Sequence, residues 1–195
     1  MREGRESQSI GFSRRLTNGE SNPFTLVQWE KRDVTITNWQ DDSIVFEQRD
    51  VEFPTDWSIN ASNIVTQKYF WGALCTEQIE KSLKVLLIRV VKQITNWGDE
   101  GGYFASNDER GVFADELMSL LLLQKASRNS PVWFNIGVPD IPQQSSACFI
   151  LSVDDTIDSI LNWYVEEGKI FKGGSGSGAN PVSYTHLTLP TKRIV

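Results

Sequence analysis

From Thr76 onward the apolar positions fall into a helical rhythm. Ile79, Leu83, Leu86, Leu87, Val90, Val91 and Ile94 recur at spacings of three and four, which predicts an amphipathic helix over about 76–97, capped by Thr76, with Glu77 and Glu80 in its first turn and Gly98 at its end. A second helix is expected over about 107–127. Ser106-Asn107-Asp108-Glu109 has the form of a capping box, and Phe113, Leu117, Leu120 and Leu121 make the buried stripe. Asn129-Ser130-Pro131 should stop this helix, because proline excludes the residue before it from the helical region. Upstream, Pro54 holds Phe53 extended, and a helix is expected from near Ser58 with Ile59, Ile64, Val65, Tyr69 and Phe70 at roughly helical spacing. Residues 1–50 are polar, and only Val34-Thr35-Ile36-Thr37 and Ile44-Val45-Phe46 alternate as short strands do.

Downstream the period changes. Ala147–Val153 is a short apolar run that reads as a strand buried on both faces, carrying Cys148 near its start. Asp155 and Asp158 then open a helix with Ile157, Ile160, Leu161, Tyr164 and Val165, which Gly168 should end. A strand followed by a helix suggests the first βα unit of an α/β barrel.

Composition narrows the function classes. With 195 residues, 39% hydrophobic and 23% charged, the chain can bury a core and is not a disordered tail. A formal net charge of −6 argues against a backbone-neutralising nucleic-acid binder, so any nucleotide is expected to be held singly in a pocket. Two cysteines, Cys75 and Cys148, are too few for a secreted disulfide framework, and no secretory pattern opens the chain, so a cytoplasmic location is expected. The run Leu120–Leu123 falls far short of the roughly 20 apolar residues of a membrane span.

Each chemical candidate has an ordinary structural explanation. Cys148 fits a core as a small hydrophobe. Ser130 belongs to a helix stop, and Asp155 and Thr156 to an N-cap. The run Gly173 to Gly178 lacks the flanking elements of a dinucleotide fingerprint and the Gly-Lys-Ser/Thr of a P-loop, and has the composition of a flexible linker.

Taken together, Asn129-Ser130-Pro131-Val132-Trp133-Phe134-Asn135, Ser146-Ala147-Cys148-Phe149-Ile150-Leu151-Ser152-Val153-Asp154-Asp155-Thr156 and the glycine run resemble the ribonucleotide reductases, most closely the class II, adenosylcobalamin-dependent branch. The resemblance spans about residues 51–180. It implies an α/β fold, an N-terminal helical region leading into the first βα unit of a truncated reductase-type barrel. Cys148 would be one of two redox-active cysteines, its partner lying outside the fragment. Ser130, Ser146, the backbone of Ala147, Gly173 and Gly174 would meet substrate phosphates, although relatives often place a serine where this chain has Ala147. Asp155 and Thr156 would help to hold a deoxynucleotide effector at a homodimer interface. Ribonucleotide substrate, external dithiol reductant and adenosylcobalamin follow from the same resemblance, with the cobalamin site expected beyond the fragment. Cys75 matches no family cysteine and reads as structural.

The expected division is an N-terminal extension over 1–50, a helical region over 51–135, the start of the catalytic barrel over 136–180 and a non-native tail over 181–195. Val182-Ser183-Tyr184-Thr185-His186-Leu187-Thr188-Leu189-Pro190-Thr191 looks like the translated read-through of a sequencing adapter, which would leave His186, the only histidine, without a role and its neighbours packed against nothing. Two rival readings are a nucleotide-binding regulatory module without catalysis and a helical scaffold without ligand.

Overall fold

The computed structural model describes residues 9–20, 22–72, 76 and 79–180. Cys75 and the tail with His186 lie outside the described residues. After a short 3-10 turn at Pro23–Leu26, the chain forms β1 (Trp29–Thr37) and β2 (Ile44–Pro54), then α1 (Ile59–Lys68), α2 (Leu83–Glu100), α3 (Asn107–Leu122) and α4 (Ser130–Asn135). A parallel unit follows, comprising β3 (Cys148–Ser152), α5 (Ile157–Lys172) and β4 (Gly176–Asn180). The architecture is mixed α/β with two two-stranded sheets, and no closed barrel forms among the described residues.

The two short alternating runs prove to be the ends of one long hairpin. β1 and β2 pair antiparallel from Trp29↔Pro54 to Thr37↔Ile44, and the turn closes through the Asn38 N–H donating to Ser43 O at 2.8 Å, with Asp42 left-handed at φ 55°. Val34, Val51 and Phe53 point from this ribbon into the main core, where they meet Leu83, Leu86, Leu87 and Val91 of α2 and Leu117, Met118, Leu121 and Leu122 of α3. A two-stranded ribbon is marginal in water by itself, so its stability comes from this packing.

The helix boundaries moved where tertiary contacts outbid local signals. Helix α2 starts at Leu83, capped by Ser82, rather than at Thr76. Residues 80–82 are drawn off the helix axis to lie along β2: the Glu52 N–H donates to Lys81 O at 2.8 Å, and Glu80 is buried as a partner for Arg89. Gly98 does not end α2, which continues to Glu100 and closes at Gly101. Helix α3 ends at Leu122, because Gln124 turns left-handed (φ 54°) and the Lys125 N–H reaches back to Leu120 O. Asn129-Ser130-Pro131 opens a helix as well as following one. The Asn129 side chain accepts from the Val132 N–H, and Pro131 sits in the first turn, where its missing N–H costs nothing. Helix α5 runs through Gly168 to Lys172, with Thr156 rather than Asp155 as its cap and Asp158 in its first turn.

Ser106 caps α3 as the capping box requires, but Glu109 turns its carboxylate elsewhere. It accepts from the Ala105 N–H, from the Phe12 N–H at 2.7 Å and from the Ser9 hydroxyl, and these bonds hold its pKa below the usual carboxylate range. One helical turn onward, burial would push Glu116 up, but the Thr17 hydroxyl and the amides of Leu16 and Thr17 outweigh it and pull Glu116 down. Residues 9–17 therefore form a strap laid along α3. With both folded-state values depressed, the strap's contribution is complete above the unfolded carboxylate pKa of about 4.3 and is lost as pH falls through the lower folded values. Amide exchange at Phe12, Leu16 and Thr17 should accelerate on acidification below about pH 4 while the α2 core stays protected; equal acceleration of strap and core would refute a separate release.

Candidate functional site

Of the residues singled out from the sequence, Ser130, Ser146, Ala147, Cys148, Gly173 and Gly174 gather at the N-terminal end of β3, where α4, the segment 143–147 and the turn after α5 meet. Cys148 is the first residue of β3, opposite Gly176 of β4, so it stands on a strand as expected. The expected burial is not found: Cys148 is an exposed free thiol, and β3 alternates exposed and half-buried positions. The reason is coverage. Among the described residues β3 has one neighbouring strand and α5 packs against β4, while Ile150 is 76% exposed and nothing described lies over it.

Ser130 stands at the start of α4, its Oγ 3.0 Å from the Tyr69 hydroxyl. The Tyr69 ring stacks on Phe134, and the Phe134 ring fills the space where a Cβ on Gly174 would fall, 2.6 Å away. Gly174 is also left-handed at φ 78°, so glycine is required twice over. At Gly173 a Cβ would collide with the Gln144 side chain. The amides of these glycines are already spent: Gly173 donates to Lys169 O and Ile170 O, and Gly174 to Phe171 O at 2.9 Å. What the glycines provide in this conformation is close approach of the turn to α4 and Gln144.

Polar side chains that sequence reading passed over hold the cluster together. Asn129 donates from Nδ2 to Ser145 O at 3.1 Å. Asn135, itself buried, donates from Nδ2 to Gly173 O at 2.8 Å and to Gln144 O at 3.4 Å. Gln144 donates to Ile170 O at 3.1 Å and to Ser175 Oγ, and the Ser175 hydroxyl donates to Ser146 O. The Ser145 and Ser146 side chains are exposed, and their hydroxyls bond to nothing among the described residues. Behind the cluster, Arg89 pairs with Glu80 at 2.8 Å and donates to the carbonyls of Ile136 (2.6 Å), Trp133 (3.0 Å) and Tyr69 (3.4 Å), so one buried guanidinium fastens both α4 and the residue that touches Ser130. No spacing rule would have picked out Asn135, Gln144 or Arg89.

Asp155 and Thr156 are not part of this cluster. They follow the opposite end of β3, a strand whose five residues span about 13 Å at the usual rise. Thr156 Oγ1 accepts from the Ser159 N–H at 3.2 Å as the α5 cap, and the Asp155 carboxylate is exposed without a partner among the described residues.

The described residues thus place a strand-borne thiol beside serine hydroxyls, with a carboxylate beyond the strand's far end, and comparison with known proteins gives the chain its family. A family model described as class II vitamin B12-dependent ribonucleotide reductase matches residues 30–124, and one described as ribonucleotide reductase, barrel domain, matches residues 146–183. The chain is 60% identical over 158 residues to the vitamin B12-dependent ribonucleotide reductase of Streptomyces coelicolor, covering 81% of this chain and 16% of that protein. It is 36% identical over 186 residues to the reductase of that name from Rhodopirellula baltica, covering 81% of this chain and 18% of that protein. The chain belongs to the class II vitamin B12-dependent ribonucleotide reductase family, and it spans about a sixth of the length of the curated relatives it matches.

The family implies adenosylcobalamin, and the described residues do not fit it. A groove of about 570 Å³ between α2 and α3 and an aromatic-rimmed crevice of about 190 Å³ beside Tyr69 and Trp133 are both too small for a corrin with its side arms. No group of three or more His, Cys, Asp or Glu side chains that could hold a metal occurs among the described residues, and no helix among them is long and apolar enough to cross a membrane.

Proposed function

We propose that this chain is the N-terminal part of a cytoplasmic enzyme that converts ribonucleotides to deoxyribonucleotides, and that at a sixth of its relatives' length it is inactive alone. The observation that carries this reading is the grouping of Ser130, Ser146, the Ala147 backbone and Cys148 at one end of β3. Adenosylcobalamin, held by residues outside those described, would supply the radical chemistry. This chain's share is phosphate binding and reduction. Ser130, Ser146 and the Ala147 N–H hold the substrate phosphates, with Gly173 and Gly174 letting the turn close on them. Cys148 gives up electrons with a second cysteine beyond this chain, the pair becomes a disulfide, and an external dithiol restores it by thiol–disulfide exchange. An exposed thiol suits a group that must meet both substrate and reductant.

Asp155 and Thr156 bind a deoxynucleotide effector, at a distance that keeps the effector and substrate sites apart, and the enzyme acts as a homodimer. Residues 51–135 form the helical region of the reductase, 136–180 begin its catalytic barrel, and 1–50 precede both. A chimera in which this chain replaces the matching segment of the Streptomyces coelicolor reductase tests the reading. It should form deoxyribonucleotides when given adenosylcobalamin and a dithiol. A folded chimera that binds nucleotide without reducing it would instead favour a regulatory module.

A further inference from the structure

We infer that Gln144 and Ser175 are positioning residues that aim the Ala147 N–H at a substrate phosphate oxygen, an inference that rests on the phosphate reading above. Ser175 is 5% exposed and its hydroxyl donates to Ser146 O. A serine hydroxyl rotates to suit its neighbours, and here Gln144 removes the choice: the Gln144 amide donates to Ser175 Oγ, so the Ser175 proton must go to the Ser146 carbonyl. Gln144 is held in turn by its bond to Ile170 O and by the contact of its main-chain carbonyl with Asn135.

The consequence for Ala147 follows from peptide geometry. In a planar trans peptide the C=O and the next N–H point in opposite directions. With the Ser146 carbonyl turned inward to a buried hydroxyl, the Ala147 N–H faces outward. The next carbonyl, that of Ala147, is fixed by the Gly176 N–H at 2.7 Å. Ala147 is thus held on both sides, and its N–H has no acceptor among the described residues. A donor oriented before its ligand arrives loses little freedom on binding, so its hydrogen bond is realised almost in full. The same arrangement explains how a phosphate contact survives with alanine at this position, since the main chain replaces the side-chain hydroxyl.

The test is a titration of the chain with inorganic pyrophosphate, followed at the Ala147 and Gly176 amides by nitrogen-15 NMR. Ser175→Ala and Gln144→Met should each weaken pyrophosphate binding by about fivefold to tenfold, the equivalent of one hydrogen bond. Both should shrink the Ala147 response while the Gly176 amide stays protected, a split that general loosening of the strand would not produce. If Ser175→Ala loses Gly176 protection, Gln144→Met alone decides. Wild-type affinity in these two variants, with binding weakened by Ser130→Ala, would overturn the positioning role and leave the phosphate reading intact. No Ala147 response in the wild-type chain, or an unchanged affinity in Ser130→Ala, would remove the phosphate reading and the positioning role with it.

Discussion

Arg89→Met should destabilise the chain by about 3–5 kcal/mol, the cost of leaving a buried charge without its partner. Glu80 and Arg89 are 6% and 10% exposed at their side chains, so solvent screens the pair little. The loss goes beyond one ion pair, because Arg89 also satisfies the carbonyls of Ile136, Trp133 and Tyr69. For a chain of this length the melting temperature should fall by about 6–20 °C. Adding Glu80→Leu removes the orphaned carboxylate, but three carbonyls and the Trp71 N–H, which donates to Glu80 at 2.9 Å, remain without partners. The double variant should therefore recover only part of the loss, each buried polar group left unpaired costing about 1–3 kcal/mol. Chemical denaturation of the wild type and both variants measures this, and a loss under about 1 kcal/mol in Arg89→Met would show that α4 is held by packing alone.

The second large effect is on chemistry. In the chimeric reductase, Cys148→Ser should abolish multiple turnover while leaving nucleotide affinity nearly unchanged. Serine keeps the size of the side chain at an exposed strand position, so folding and the neighbouring phosphate groups are undisturbed. Oxygen forms no stable counterpart of the S–S bond and is not readily ionised at neutral pH, so no dithiol can close a catalytic cycle through it. Deoxynucleotide yield per enzyme over many cycles, measured beside nucleotide affinity, separates the two effects. Sustained reduction by Cys148→Ser would show that another thiol does this work.

Much of the fold can be read from spacing, and the exceptions have physical causes. The apolar spacings of α2, α3 and α5 identify these helices; those of α2 and α3 face the main core, whereas Ile157, Leu161, Tyr164 and Val165 of α5 stay exposed among the described residues. Their ends are set by contacts: Glu80 is pulled out of helical register by Arg89, and Gln124 turns left-handed to close α3. The hairpin is visible only at Val34–Thr37 and Ile44–Phe46, because charged positions such as Glu30, Lys31, Glu47 and Arg49 mask the alternation elsewhere. β4, a run of Gly-Ser-Gly-Ala-Asn, has almost none of the side chains that favour strands and exists through its pairing with β3. At the site, Ser130 and Cys148 stood out only through the family resemblance. Asn135 and Gln144 did not stand out at all, since a polar residue in a loop looks the same whether it faces water or a buried carbonyl.

The strap along α3 joins residues about a hundred positions apart in the chain, Ser9 and Phe12 to Glu109 and Thr17 to Glu116. During synthesis at about 5–20 residues per second, the strap would leave the ribosome roughly 5–20 s before its partners on α3. A hydrophobic segment kept waiting that long would invite aggregation. Residues 9–20 carry only Ile10, Phe12 and Leu16 as large apolar side chains, each separated from the next by polar or glycine residues. The strap can wait in water and dock late, so its composition suits the order in which the chain is made.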